Sequence, residues 1–386
     1  MSSDRPYKVI DLFSGAGGAS LGFARHPLFR VVAAVDKQQG KPSSPAGSLG
    51  CNLTYKENIG LVPIDADLAV LPPRELRDTV GLARGELDVL ISCAPCTGFS
   101  RMRRENHLRD DPRNSLVGRS VRFVEEFMPQ VFVMENAREL AIGNFSHHCD
   151  ALLGGLDALG YSIDTSVHTL SRFGLPQKRE RALVIACRDS RNLVTLEDLW
   201  DGWEVDFSAT TVRSAIGHLP PLDAGEQSTK DMMHTCPSMA RAASRLRMEA
   251  IPENGGSWAD IRNHPRRNEI LTPAMKRYIA KGVLGKHPDV YGRMWWDRPS
   301  PTIKRECSHP GNGRYSHPSQ HRLCSVREMA TLSGFPTDFI CKSGSLSNMY
   351  RHIGDAVPPL ISFQLACVCA SMLGENSIEP REAVLP

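Results

Sequence analysis

The chain has 386 residues, 41% of them hydrophobic and 23% charged, and a net charge of +3. This is ordinary for a globular protein with room for two or three domains, and so small an excess of positive charge does not by itself point to nucleic acid. Eleven cysteines, odd in number and irregularly spaced, argue against a secreted disulfide framework, and without an apolar leader or a run long enough to span a membrane the expected setting is a reducing cytoplasm.

In chain order, 8–13 reads as a buried strand that passes through a glycine-rich turn into a helix over 19–25. A second strand, 30–35, ends at Asp36, and the Gly-, Ser- and Pro-rich segment 37–50 reads as a mobile loop. Segments 61–68 and 87–91 read as the third and fourth strands. A helix over 116–127 leads to a strand over 131–134, which delivers Glu135 at its end. A helix over 149–159 then precedes strands at 161–170 and 181–187. Strands alternating with helices predict an α/β, doubly wound and mostly parallel sheet. After about Arg188 the periodicity weakens and Pro, Gly, His and Arg become frequent, so a second module is expected up to about Lys342. Beyond it, 325–332 reads as a short helix and 361–373 as a long apolar one suited to packing back against the first sheet.

Glycines at 15, 17 and 18 let a ligand approach the backbone, and the helix start behind them favours negative charge. Asp36, about twenty residues on, suits ribose hydroxyls. The pattern fits a nicotinamide enzyme or an S-adenosylmethionine (AdoMet) enzyme equally, and a tight turn without a ligand is the plain alternative. Cys96 follows a buried strand through Pro95, which puts a thiol at the carboxyl edge of the sheet, where open α/β proteins bind ligands. A nucleophile, an inert core cysteine and a Cys93–Cys96 redox dithiol all compete for this reading; Cys93 is expected to be buried and Cys96 to sit at the turn. His147, His148 and Cys149 lack the regular spacing of a zinc site, and no metal is assigned. Glu135 is expected at the same edge, where burial would raise its pKa, while Asn136 also reads as a helix N-cap. Arg179 and Arg181 are expected to alternate along a strand and share one face, either gripping a phosphate or base carbonyl or forming a solvated charged edge.

Taken together, these motifs resemble the cytosine-C5 DNA methyltransferases of bacterial and phage type. Asp11-Leu-Phe-Ser-Gly-Ala-Gly-Gly18 resembles the family's AdoMet turn, Asp65-Ala-Asp67-Leu68 its adenine-contacting acidic step, and Pro95-Cys96 its nucleophile. Glu135-Asn136, Gln177-Lys-Arg179-Glu-Arg181, the Arg327-Glu328…Phe335-Pro336 element and Gly354-Asp-Ala-Val357 follow in the family's order. The resemblance implies a Rossmann-like AdoMet domain over 1–187, completed by 345–386, and a smaller target-recognition domain over 188–344. It implies Cys96, Glu135, Arg179 and Arg181 as catalytic residues. Phe13, Ser14, Gly15, Gly17, Gly18, Asp36, Asp67, Leu68, Pro95, Leu116, Asp355, Ala356 and Val357 become the AdoMet-binding residues. It assigns base reading to about 192–322, with Arg262, Arg266, Arg267, Trp295 and Arg314 as candidates. Thr97, Ala94, Ala137 and Asp355 depart from the usual family residues, and Asp355 adds a carboxylate near the expected methionine end of the cofactor. The implied partner of this cytoplasmic monomer is double-stranded DNA, with room for a cognate restriction endonuclease acting on the same site and no membrane association. A tRNA cytosine methyltransferase and a weakly active or non-catalytic DNA-binding relative stay open as alternatives.

Overall fold

A computed structural model describes residues 5–38, 49–99, 109–284 and 289–375, so most of the expected loop over 37–50 lies outside the described residues. The eight strands are β1 (Tyr7–Leu12), β2 (Phe29–Val35), β3 (Val89–Ser92), β4 (Val131–Ala137), β5 (Ser162–Thr169), β6 (Gln177–Lys178), β7 (Glu180–Cys187) and β8 (Ser300–Pro301) among the described residues.

Two compact units emerge. The first comprises Met1–Phe173, Glu180–Glu204 and Ala356–Pro386, and the second Gly174–Arg179 and Val205–Asp355. These boundaries differ from those expected at 188 and 345. Residues 188–204 stay with the first unit because the Trp200 indole donates to Gln364 Oε1 at 3.0 Å and Asn192 donates to the Met372 carbonyl at 3.4 Å. The Gly174–Arg179 segment belongs to the second unit because Gln177 is consumed there. Its amide donates to the Leu332 carbonyl and the Ser333 hydroxyl at 3.2 and 3.1 Å and accepts from the Ile303 N–H at 3.1 Å.

In the first unit six strands form one sheet in the order β2-β1-β3-β4-β7-β5. The β2–β1, β1–β3 and β3–β4 pairs are parallel, and β7 runs antiparallel to both β4 and β5. β3 and β4 open as apolar runs, Val89–Ile91 and Val131–Met134, because helices cover both faces of such a sheet, and every residue in the two strands is buried. The strand expected over 61–68 is reduced to a single bridge from Ile64 to Val35, since Pro63 has no N–H to give and Asp65 and Asp67 break the apolar run. Helix Gly18–Arg25 packs on helix Pro359–Met372 through a groove made by two glycines one turn apart. A Cβ on Gly22 would lie 2.1 Å from Ser362 Oγ, which instead accepts the Gly22 N–H at 3.0 Å and donates to the Gly18 carbonyl at 3.1 Å. The stretch Leu346–Met372 is long and apolar enough to cross a membrane, contrary to the sequence expectation, but 83% of its apolar window is buried inside the protein. Its two helices, Leu346–Asp355 and Pro359–Met372, are separate, and the second is buried nearly all round, as befits a core helix.

The second unit is built from short helices and the two-residue parallel pair β6–β8. Its interior holds a buried bidentate ion pair, Arg322 to Glu328, with both N–O distances 2.7 Å. Ser325 caps helix Val326–Leu332 in a reciprocal capping box with Glu328, so one carboxylate closes the helix start and neutralises the guanidinium. Arg327 is likewise tied down, to Asp231 at 2.6 Å.

Candidate active site

The carboxyl ends of β1, β2, β3 and β4 define one edge of the first unit's sheet. β7 begins at that edge because it runs antiparallel to β4, so a residue at its start can join residues at the ends of the others. Three groups of side chains gather here.

Beyond β1 the chain turns sharply. Phe13 adopts φ 61°, a left-handed conformation that is costly for a bulky residue and is commonly kept only where a site demands it. Gly17 (φ 93°) is the N-cap of helix Gly18–Arg25, and a Cβ there would lie 2.7 Å from Ile59. A Cβ on Gly18 would meet the Val357 carbonyl at 2.3 Å and Ala356 at 2.8 Å, so Ala356 and Val357 close directly on the turn. Asp36, from the end of β2, accepts the Gly15 N–H at 2.9 Å. Gly15 itself faces open space, the helix start has no side-chain cap, and the buried Ser14 Oγ has no hydrogen-bond partner among the described residues. An open cradle, uncapped helix N–H groups and an orphaned hydroxyl fit the charged methionine end of AdoMet. Asp67 is partly exposed: burial works against its charge, but the Ala69 N–H and the Lys37 ammonium, each at 2.9 Å, outweigh that and hold the carboxyl below its ordinary range. Leu68 and Leu116 are buried in the same apolar cluster, with Phe13 and Cys96 packed at its margin.

The second group surrounds the thiol. β3 ends at Ser92, Pro95 sets the backbone, and Cys96 opens a 3-10 turn through Gly98 with its side chain half-buried. Asn136, fully buried in β4, donates to the Ala94 carbonyl at 2.9 Å and so ties the end of β4 to the Pro-Cys corner. It is no helix N-cap: helix Glu139–Ile142 starts after Arg138 without a side-chain cap. Gly98 packs against the Asp111–Ser115 turn so closely that a Cβ would lie 2.1 Å from Asn114 Oδ1. That packing brings Arg113, clamped by Asp111 at 2.8 and 2.6 Å, within electrostatic reach of Cys96. Arg113 and Asn114 were not foreseen. Asp-Pro-Arg-Asn reads only as a turn, and no local signal says which other turn it will meet. Cys93 is half-buried, like Cys96, and not fully buried as expected; its thiol is still pushed well above its ordinary range, by desolvation first and then by the Asp11 and Glu135 carboxylates, which disfavours a redox dithiol. The Thr97 side chain lies outside the described residues.

The third group is an ion pair. In the β4–β7 register Arg181 lies opposite Ala137, and Glu135 opposite Leu183, so Glu135 and Arg181 are diagonal neighbours on one face. Arg181 Nε lies 2.7 Å from Glu135 Oε1, with side-chain exposures of only 12% and 8%. Glu135 is therefore buried as expected, but with a guanidinium set against it.

Arg179 does not join them. The expected continuous strand breaks at this residue: β6 ends at Lys178 and β7 starts at Glu180, each in a different unit. Arg179 is buried in the second unit, where it donates to the Ile303 carbonyl at 3.1 Å and lies within electrostatic reach of Asp355. Asp355 pairs with Arg305 at 3.1 Å, so its extra charge relative to the family pattern is matched locally. Among the base-reading candidates, Arg262, Arg266 and Arg267 are exposed. Arg314 is buried instead. It pairs with Asp289 at 2.7 Å, donates to the Gly255, Gly256 and Arg293 carbonyls, and lies over the half-buried Trp295 ring at 4.0 Å, a structural staple rather than a surface contact.

Residues 7–370 match the family model described as C-5 cytosine-specific DNA methylase. Among curated proteins the chain is similar to the Type II methylase M.HgiDII of Herpetosiphon aurantiacus, 30% identical with 91% of each chain covered. It is also similar to the Type II methyltransferase M1.HphI of Haemophilus parahaemolyticus, 30% identical over 92% of this chain and 85% of the other. Among solved structures, a candidate DNA modification methyltransferase encoded within an E. coli prophage superposes with a TM-score of 0.65 at 24% identity, covering 96% of this chain and all of that one. The S. pombe Dnmt2 methyltransferase superposes at 0.60 and 16% identity over 96% of this chain and 100% of its own. These two likenesses establish the fold, and with the family match over nearly the whole length they lead to one conclusion: the chain belongs to the C-5 cytosine-specific DNA methylase family.

Proposed function

We propose that this protein is a site-specific DNA (cytosine-5-)-methyltransferase, moving a methyl group from AdoMet to C5 of a cytosine swung out of duplex DNA, through a transient bond between Cys96 and C6. The observation that carries this reading is the shared sheet edge: the Cys96 corner is tied to β4 by Asn136, and β4 also carries Glu135, paired with Arg181.

Cytosine C5 is a poor nucleophile while the ring is aromatic. Addition of the Cys96 thiolate to C6 forms an S–C bond and pushes electron density toward C5. The Arg113 guanidinium lies within electrostatic reach of the sulfur, and positive charge near a thiol assists its attack. Glu135 must bring a proton to N3 while its other oxygen accepts from the exocyclic amine, so the negative charge that develops on the ring is taken up, and Arg181 pairs with that carboxyl. Bound AdoMet supplies a methyl group made electrophilic by its sulfonium. Ser14, the Gly15 backbone, Asp36, Ala356 and Val357 would hold it, with Phe13 at the turn. Transfer of the C5 proton to water and expulsion of the Cys96 thiolate then restore the aromatic ring. Freeing the base from the stack costs a few kcal/mol, which contacts from the second unit must offset. The exposed Arg262, Arg266 and Arg267 would supply phosphate contacts, as most exposed arginines in such modules do. A restriction endonuclease cutting the same sequence would make this enzyme the protecting half of a Type II pair.

Bisulfite sequencing of DNA from cells expressing the protein identifies the modified site. A duplex carrying 5-fluorocytosine at that site, with AdoMet, should then yield a protein–DNA product that survives denaturation, and Cys96→Ser should yield none. A wild-type enzyme that methylates the site but never becomes linked to the trap would overturn the covalent route. Methylation of tRNA in place of duplex DNA would overturn the substrate.

A further inference from the structure

We infer that Asp110, His147 and His148 form a binding site for a divalent transition-metal ion of the zinc class. The site is separate from the Cys93–Cys96 pair and from the residues of the proposed chemistry. Its three donor atoms lie within 4.8 Å of one another. His148 Nε2 is 2.8 Å from Asp110 Oδ2, and His147 Nε2 is 3.3 Å from the same oxygen.

Several features favour an ion over a simple surface salt bridge. Neighbouring residues on a helix point about 100° apart, so adjacent histidines ordinarily diverge. Here both imidazoles, at the start of helix His147–Ala158, turn toward one carboxylate oxygen, with ring centres 4.1 Å apart. The opposite oxygen, Asp110 Oδ1, accepts the Asn114 amide at 2.8 Å, which orients the carboxylate and leaves Oδ2 toward the imidazoles, as an outer partner does for a metal-bound carboxylate. Zinc bonds of about 2.0–2.2 Å to nitrogen and oxygen set tetrahedral donors about 3.4 Å apart, close to the 2.8 and 3.3 Å that separate the two imidazole nitrogens from Asp110 Oδ2. Two imidazoles and a carboxylate suit zinc, cobalt or nickel better than calcium or magnesium, which prefer oxygen. Part of the set is exposed, with His147 at 60%, so water can complete the coordination. Cys149, the third member of the sequence cluster, is buried in the core and takes no part.

The position gives the site a consequence. Asn114, bonded to Asp110, is the residue against which Gly98 packs, and His148 sets its ring edge-on to Phe99 at 6.0 Å. An ion here would brace both sides of the turn that starts at Cys96.

The test is a cobalt(II) titration of the full-length protein, reduced and stripped with chelator, followed by zinc competition. Expected is one equivalent bound with visible ligand-field absorption, no near-ultraviolet thiolate charge-transfer band, and displacement by zinc. His147→Ala, whose exposed side chain makes misfolding a poor explanation, and His148→Ala should each weaken binding by about 100-fold or more, since loss even of an outer partner costs 10–100-fold. Asp110→Asn should behave likewise, with unchanged circular dichroism. Binding that persists unchanged in all three variants, a thiolate band pointing to cysteines, or no stoichiometric binding would each overturn the site.

Discussion

Replacing Arg181 with methionine keeps most of the side-chain volume at the start of β7 but removes the guanidinium from Glu135. The two groups lie 2.7 Å apart, and both are nearly buried. At an effective dielectric near 20 their mutual attraction is about 6 kcal/mol, and the cost of drying both groups offsets much of it. Removing one partner leaves that cost without the attraction, so a loss of about 3–5 kcal/mol is expected, against about 1 kcal/mol or less for an exposed pair. Because a chain of two units need not unfold in one step, the measurement is hydrogen exchange in the β4 and β7 peptides rather than a global melt. Glu135→Gln should cost less, and the double variant should be more stable than the two single losses added together, with a coupling of about 1–3 kcal/mol. Methyl transfer should collapse in each variant. If Arg181→Met leaves exchange protection in β4 and β7 within about 1 kcal/mol of wild type, the pair is not a buried one in solution and the reasoning fails.

Gly18→Ala would drive a Cβ to 2.3 Å from the Val357 carbonyl, so about 1–3 kcal/mol of stability and most AdoMet affinity should be lost; unchanged calorimetric binding of AdoMet would contradict that packing. Asp11 is fully buried, and burial raises its carboxyl from 3.8 to about 7 despite the Ser20 hydroxyl that donates to it at 2.6 Å. The folded state therefore keeps a proton that the unfolded chain releases between about pH 4 and 7, and stability falls as pH rises through that window, by about 4 kcal/mol in total. Asp11→Asn should flatten the decline between about pH 4 and 7 in urea unfolding, and an unaltered slope would refute the assignment. Cys93→Ser should retain methyl transfer within a few-fold, since that thiol is held protonated; abolished transfer in a folded variant would revive the dithiol reading.

The legible part of this protein was local. Apolar runs ending in Pro-Cys, in Glu-Asn or in a cluster of glycines announced β3, β4 and the turn after β1, because burial and backbone freedom act over a few residues and leave their mark in the order of side chains. Helix Leu116–Phe127 was read to the residue for the same reason. What tertiary structure decided was who meets whom. Arg179 and Arg181 look equivalent in the sequence, yet the chain leaves one unit for the other between them, because Gln177 finds its three partners near Ile303 and Leu332. Asn136 looked like a helix cap and instead holds the Pro-Cys corner, and two histidines without a zinc spacing found a carboxylate well before them in the chain. Short-range order follows from propensity and pattern, whereas these meetings depend on the order of strands and on which turns pack together, and those are set by burial summed over the whole molecule.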